Sequence, residues 1–243
     1  MKVLFVIDNV TQYERLKSLL ASKARTDIQY TFKHSIVKST IWGHEDFKNR
    51  SDAVIDVKKD IEYIKSNYQL VISVHCFQFF PKELVKTVRC VNVHPGYNPI
   101  NRGWYPQVFA IIHDLPIGAT VHEMDEKLNN GPIIARELVD KYVWDTSESL
   151  YNRVLEKEIS LFDRYFEQIL DGSYQSIIPE GKGNMFKKGD FKNLCELEME
   201  KIGTFREFFN RLRALSHGSY NNAFFIDNDT GKKIYLKLAI SYE

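Results

Sequence analysis

Three cysteines, Cys76, Cys90 and Cys195, stand far apart in 243 residues with no CxxC pair among them, which argues against a disulfide framework and against a zinc site. No run approaches the roughly 18 apolar residues of a membrane span, and the apolar opening MKVLFVIDN is too short for the core and cleavage site of a signal peptide. A cytoplasmic protein is expected. Neither sign of charge is in excess: 33 Lys and Arg oppose 32 Asp and Glu, so no global field favours nucleic acid or an anionic membrane. Any anionic ligand must be met by local residues. No Gly-x-Gly-x-x-Gly follows the first apolar run and no Gly-x-x-x-x-Gly-Lys-Ser/Thr occurs, so neither a dinucleotide cofactor nor a P-loop is indicated. A Gly-x-Ser-x-Gly elbow and a His-Glu-x-x-His helix are also missing, as are internal repeats and low-complexity tracts.

What is present is enough apolar content, 44%, to bury a core, arranged in alternating strand and helix signals. Val3 to Ile7 is a continuous apolar run, the form of a strand buried on both faces, and Tyr13, Leu16 and Leu20 follow at helical spacing. Further strands are expected at Ile28 to Phe32, Ala53 to Val57, Leu70 to Val74, Val88 to Val93, Ile117 to Met124 and Pro132 to Val143, with a helical stretch around Ile61 to Ile64. The alternation predicts an α/β fold with a doubly wound, mostly parallel sheet. Asp145 and Glu148 form a capping-box pattern ahead of a helix whose stripe, Tyr151, Leu155, Ile159, Phe162, Phe166 and Ile169, reads as core packing. After Gly172 the glycine-rich stretch DGSYQSIIPEGKGNMFKKGD reads as a linker or surface loop. A second capping box, Thr204 and Glu207, opens a short helix, and DNDTG between two β-rich runs marks a closing hairpin. This divides the chain into residues 1–175 and a C-terminal part, 176–243. An isolated hairpin is marginal in water, so it should pack on something, one candidate being its own copy in a dimer.

In an open α/β sheet, ligands sit beyond the carboxyl ends of the strands, where NVHPGYNP falls if Val88 to Val93 is a strand. Residues two apart at a strand end point to the same side. Asn92 and His94 therefore present an amide donor and an imidazole to one small volume. The amide N–H can stabilise an oxyanion, and an imidazole can take a proton from an amine near neutral pH. Pro95 and Gly96 allow the sharp turn that makes room for a substrate. The same spacing is also met where Asn92 serves the turn backbone and His94 is a structural hydrogen-bonder.

The stretch NVHPGYNPINRGWYPQVFAI, followed about thirty residues on by GATVHEMDEKLNNGPIIA, resembles the formyltransferases that use N10-formyltetrahydrofolate. Within them the sequence is most similar to N-formyltransferases acting on dTDP-linked amino sugars, in which HPGYNPxNRGW and a closing HGxYxNAxF recur; SHGSYNNAFF, Ser216 to Phe225, matches the latter. The resemblance covers most of the chain. It implies a Rossmann-like formyltransferase domain followed by a small helix and hairpin, a homodimer, and Asn92 and His94 as the first two members of an Asn-His-Asp catalytic group. The third departs from the pattern: the family's Asp lies in Leu-Asp-x-Gly-Pro, and LNNGPI puts Asn129 there. Asp125 is a nearby carboxylate four residues too early for that slot and is placed with the folate. Asn129 can hydrogen-bond but carries no charge. When a serine-protease triad loses its Asp to Asn, its geometry survives while the rate falls about ten-thousand-fold. A poorly active chain, or one altered to trap a complex, is implied.

The implied reaction is attack of a sugar's neutral amine on the formyl carbon, with Asn92 and protonated His94 holding the oxyanion and N10 of the folate receiving the proton, with no metal. The family places its pterin against the strand and loop before the Asn-x-His strand, which makes Phe77, Gln78 and Phe79 the folate candidates. On the acceptor side, Arg102 suits a pyrophosphate and Tyr97 and Trp104 offer flat faces for sugar or thymine. Tyr220 and Asn222 are weaker nucleotide candidates that could equally position the hairpin. His75 reaches the sugar if its strand end opens into the cleft, and His122 is expected to support the following loop. The product would be a formamido sugar for surface polysaccharide such as O-antigen, with the C-4 amine favoured over C-3. Two other functions stay open: a catalytically silent folate and sugar-nucleotide binding protein, and, less favoured because of the GYNPINRGW loop, a formyltetrahydrofolate hydrolase.

Overall fold

The five apolar side chains of Val3–Ile7 are wholly buried, because helices cover both faces of the strand they form. The computed structural model describes residues 1–36, 40–126, 131–179, 181, 183–241 and 243. Its elements are β1 (Lys2–Ile7), α1 (Val10–Lys23), β2 (Gln29–Ser35), β3 (Val54–Ile55), α2 (Ile61–Asn67), β4 (Leu70–Val74), α3 (Lys82–Thr87), β5 (Arg89–His94), β6 (Arg102–Gly103), α4 (Pro106–Ile112), β7 (Gly118–Glu123), β8 (Ile133–Leu138), α5 (Ser147–Arg164), α6 (Phe166–Asp171), β9 (Met185–Phe186), α7 (Lys188–Cys195), α8 (Phe205–Leu215), β10 (Ala223–Ile226) and β11 (Lys233–Leu236).

The main sheet runs β3-β2-β1-β4-β5-β7-β8. The first five strands are mutually parallel, while β7 is antiparallel to β5 and β8 to β7. Chain order reverses between β1 and β4, the switch point at which such sheets open a crevice. Val3, Phe5, Ile72 and Val74 pack with Leu16 and Leu20 of α1, Phe162 of α5 and Phe166 of α6. Leu4, Val6 and Val71 face the other way, onto Ile64 of α2 and Leu84 of α3. The alternation within each strand thus feeds two cores, one on each side of the sheet.

Two local expectations shift. The box that opens α5 is Thr146 and Ser149, one residue later than Asp145 and Glu148: Thr146 Oγ1 accepts from the Ser149 N–H and Ser149 Oγ accepts from the Thr146 N–H. Asp145 is instead buried, taking the Tyr142 N–H at 2.7 Å and the Arg153 guanidinium. The strand expected to run on to Val143 stops at Leu138. The Thr204–Glu207 box is present, and α8 packs through Ala214 with Val108, Ala110 and Ile111 of α4. The stretch read as a loop carries β9, which pairs with β6, and the start of α7. The closing hairpin, β10 against β11, docks through the Leu197 N–H to Phe224 O at 2.7 Å. It leaves Ile226, Ile234 and Tyr235 exposed.

Candidate active site

β5 and β7 lie antiparallel with Asn92 opposite His122 and His94 opposite Thr120. Asn92, His94, Thr120 and His122 are all buried. His122 Nδ1 is 2.7 Å from the Glu123 carbonyl, which can only accept, so the ring proton sits there and Nε2 is the acceptor. Asn92 Nδ2 donates to that Nε2 at 3.1 Å. His122 therefore does more than support a loop: it sets the orientation of the Asn92 amide.

His94 Nε2 is buried without a hydrogen-bond partner among the described residues. Its imidazole lies against Gly96, where a Cβ would come within 2.6 Å of Nε2. The turn is clamped by Thr120, whose hydroxyl donates to Gly96 O at 2.6 Å and accepts from the Asn98 N–H at 3.1 Å. Burial first, and then the neighbouring His122, His75 and Arg102, hold His94 well below the ordinary imidazole value. This setting disfavours the protonated His94 that the resemblance implies.

His75 follows β4, and both of its ring nitrogens are engaged: Nε2 lies 2.7 Å from Glu158 Oε2 and Nδ1 3.2 Å from the Tyr151 hydroxyl. Gln78 is committed to the scaffold. Its side chain accepts from the Val57 N–H and donates to Ile55 O, both at 2.8 Å, stitching the loop to the β3 edge. Phe77 and Phe79 are exposed, and Phe77 lies parallel to Trp104, with centroids 6.1 Å apart and planes 12° from each other. That stack joins a residue expected on the folate side to one expected on the acceptor side. Lys188 lies 5.3 Å from the Trp104 ring centre. The Tyr97 ring is faced by the Arg136 guanidinium at 4.5 Å. Arg102 is in β6, its N–H on Asn184 O at 3.0 Å. Asp125 is half-buried just after β7. Asn222 donates to Leu215 O at 2.9 Å and so anchors the hairpin to α8, whereas Tyr220 is exposed beside the His217 ring. Asn129 lies outside the described residues.

A family model described as "Formyl transferase" matches residues 8–165. The chain belongs to the formyl transferase family. A second model, "N-formyltransferase dimerization C-terminal domain", matches residues 190–242. Over 188 residues this formyl transferase is 45% identical to a protein named dTDP-4-amino-4,6-dideoxyglucose formyltransferase from Mycobacterium tuberculosis, covering 77% of this chain and 80% of that one. A sugar N-formyltransferase from a Shewanella species superposes with a TM-score of 0.91 at 38% identity, over 100% of this chain and 99% of the other. A 4-N formyltransferase from Francisella tularensis gives 0.90 at 37%, over 100% and 98%.

Within this formyl transferase two residues near the candidate site carry no motif signal. Tyr151 and Glu158 sit seven apart on α5, a spacing that puts them on one helix face, inside a stripe that otherwise packs the core. A glutamate buried among Val154, Leu155, Leu161 and Phe162 was the available clue, since charges are rarely fully buried without a partner.

Proposed function

We propose that this formyl transferase moves the formyl group of N10-formyltetrahydrofolate onto the C-4 amine of a dTDP-linked 4-amino-4,6-dideoxyhexose. The observation that carries the reading is the 45% identity, over most of both chains, to a protein bearing that activity in its name. The Francisella relative, named a 4-N formyltransferase, supports C-4 over C-3.

In the proposed reaction the neutral amine attacks the formyl carbon. The second N–H of the Asn92 amide is the donor assigned to the oxyanion, while His94 Nε2 takes a proton from the attacking nitrogen and returns it to N10 as the C–N10 bond breaks. Phe77 and Phe79 are assigned to the folate, with Asp125 beside it, and Arg102, Tyr97, Trp104 and Tyr220 to the sugar nucleotide. Gln78, His75 and Asn222 are withdrawn from direct ligand contact, because their polar groups are already paired within the protein. We divide the chain into a catalytic part, 1–175, and a C-terminal part, 176–243, whose exposed hairpin residues we assign to a homodimer contact. A cytoplasmic enzyme supplying a formamido sugar for surface polysaccharide completes the proposal. Among the described residues no helix is long and apolar enough to cross a membrane.

Asn129 in LNNGPI favours a second reading, a protein that binds both substrates and turns over slowly or not at all. Formyl transfer from N10-formyltetrahydrofolate to a panel of dTDP-3-amino and dTDP-4-amino sugars, by this chain and by Asn129→Asp in parallel, separates the two. Transfer to a 4-amino sugar, faster in the Asp variant, is the expected result. Transfer by neither chain to any sugar removes the acceptor assignment and leaves the binding protein.

A further inference from the structure

A second histidine stands beside the first at the carboxyl ends of β4 and β5. Val74 of β4 pairs with Val93 of β5, so His75 and His94 leave neighbouring parallel strands side by side. They are equipped differently. Where His94 Nε2 has no partner among the described residues, the His75 ring is held at both nitrogens. A carboxylate can only accept, so His75 Nε2–H donates to Glu158 at 2.7 Å, and its Nδ1 accepts from the Tyr151 hydroxyl at 3.2 Å. The backbone of His75 sits at φ 51°, in the left-handed region. Non-glycine residues occupy that region at a cost, and such residues cluster at functional sites.

Glu158 is 0% exposed. Gln12 donates to its Oε2 at 2.6 Å, and Oε1 has no partner among the described residues. Burying a carboxylate costs several kcal/mol that a leucine at this position would not incur, so packing alone does not explain it. At the other end, the Tyr151 hydroxyl accepts from Asn9 Nδ2 at 3.4 Å. Burial and the charge of Glu158 keep that hydroxyl protonated. Tyr151 is half-buried, with its ring 5.6 Å from that of His217 in the closing motif.

We propose that Tyr151, His75 and Glu158 form a second proton-handling centre, which takes the proton that the sugar's ammonium group must lose before it can attack. The proposal rests on the formyltransferase reading and supplies a step that Asn92 and His94 do not. One N–H bond of the ammonium breaks and its proton goes to the Tyr151 oxygen, as the Tyr151 proton passes to His75 Nδ1. The resulting imidazolium lies against the Glu158 carboxylate, so the positive charge moves from substrate to a buried, compensated pair. The amine, now neutral, attacks the formyl carbon, and its second proton travels through His94 to N10. Once product has left, the Nδ1 proton of His75 returns to the Tyr151 oxygen as the proton held there passes to solvent, which restores the centre. The sum is ammonium plus formyl donor giving formamide, tetrahydrofolate and one proton. Tyr151 is the catalytic residue of this centre, and His75 and Glu158 act through it.

The test is steady-state kinetics of the full chain, Glu158→Gln and Tyr151→Phe with N10-formyltetrahydrofolate and dTDP-4-amino-4,6-dideoxyglucose at pH 7 and pH 9. The titratable groups around His75 are Glu158 and Tyr151 of α5, His94 of β5, Asp8 after β1, which is bound to Ser35 and the Phe77 N–H, and His217 and Tyr220 beyond Tyr151. At pH 7 each variant should lose about 100-fold or more in kcat, the usual worth of a general base, with both KM values within about 3-fold. At pH 9, where the amine arrives mostly neutral, the deficit should shrink to below about 10-fold. Unchanged kcat at pH 7, or an equal deficit at both pH values, overturns the relay, because a purely structural role is indifferent to the state of the amine. Should Glu158→Gln fail to fold, Tyr151→Phe, which keeps the ring, decides. If neither this chain nor Asn129→Asp formylates any amino sugar, the formyltransferase reading falls and the relay with it; if the chain, or Asn129→Asp carrying the same substitutions, is active and Glu158→Gln and Tyr151→Phe leave it unaffected, the relay alone is overturned.

Discussion

The Asn92 side chain donates to His122 Nε2 at 3.1 Å across the β5–β7 pair, and because His122 spends its own ring proton on the Glu123 carbonyl, the amide of Asn92 has only one orientation that satisfies both. The donor assigned to the oxyanion is thereby aimed before any substrate arrives, which is what makes such a donor effective.

His122→Leu should uncouple that aim. The Asn92 N–H would lose its acceptor, costing about 1–3 kcal/mol of stability, and a misplacement on the order of 1 Å at the reacting centre can cost roughly 100-fold in rate. A fall in kcat with little change in either KM is expected, smaller than the about 100- to 1000-fold loss from Asn92→Ala. Unchanged turnover in a folded His122→Leu protein would remove His122 from the site.

Gly96 is tested by one methyl group. A Cβ there would sit 2.6 Å from His94 Nε2 and 2.9 Å from Cδ2, so the imidazole must rotate away or the clamped turn must open. Overpacking of this kind costs about 1–3 kcal/mol. The Gly96→Ala protein should melt lower and lose most of its turnover. Wild-type activity in that variant would mean the His94 nitrogen is not where the chemistry occurs.

Phe77 and Trp104, 46% and 38% exposed, are stacked on each other, although the sequence reading assigns one to folate and the other to the acceptor. Removing either ring should disturb both sites, because each holds the other flat. A stacked pair is worth about 0.5–1.5 kcal/mol beyond its buried area, so Phe77→Ala and Trp104→Ala should each raise the KM of donor and acceptor together by roughly 3- to 10-fold. If each substitution changes only one KM, the rings act separately.

The strands of this sheet were legible because buried parallel strands are written as unbroken apolar runs: Leu70–Val74 is found where the pattern puts it, β1, β5 and β7 lie within a residue of their runs, and β2 runs three residues past Phe32 to Ser35. The strand end carrying Asn92 and His94 followed from the same reasoning. Other features were hidden for physical reasons. The helix α4 begins inside the motif loop with Pro106 at its first turn, and the Pro-, Gly- and Asn-rich sequence before it masks the start. Gln78 reads as a ligand because a polar residue between two phenylalanines gives no hint of the Ile55 carbonyl and the Val57 N–H it satisfies about 20 residues away in sequence. Tyr151 and Glu158 share the core-facing period of α5, and only three-dimensional contact with His75 distinguishes them from packing.

Acid should destabilise this protein earlier than its carboxylates would dictate. His94 is held well below its ordinary value of 6.5, by burial first and then by neighbouring positive charge, and His217 is also lowered, again by burial first, with Glu148 opposing. Below about pH 6.5 the unfolded chain takes up protons at these two imidazoles that the folded chain refuses, so the unfolded state binds more protons and stability rises with pH through this window. The contribution is fully present above pH 6.5 and is lost as pH falls toward the folded values. Paired carboxylates act elsewhere: Asp27, lowered to about 2 chiefly by its hydrogen bond from Arg25, and Glu137, lowered by Lys157, give up their share only below the ordinary carboxylate range near 4. Urea midpoints measured from pH 7.5 to pH 5 should therefore fall, and they should fall less steeply in His94→Gln, which cannot take up the proton when it unfolds. Each pH unit of separation between folded and unfolded values is worth about 1.4 kcal/mol, well within reach of such a titration. A wild-type midpoint that stays level or rises on acidification would show that His94 accepts its proton without penalty, and the neutral base assigned to this site would have to be replaced by an imidazolium.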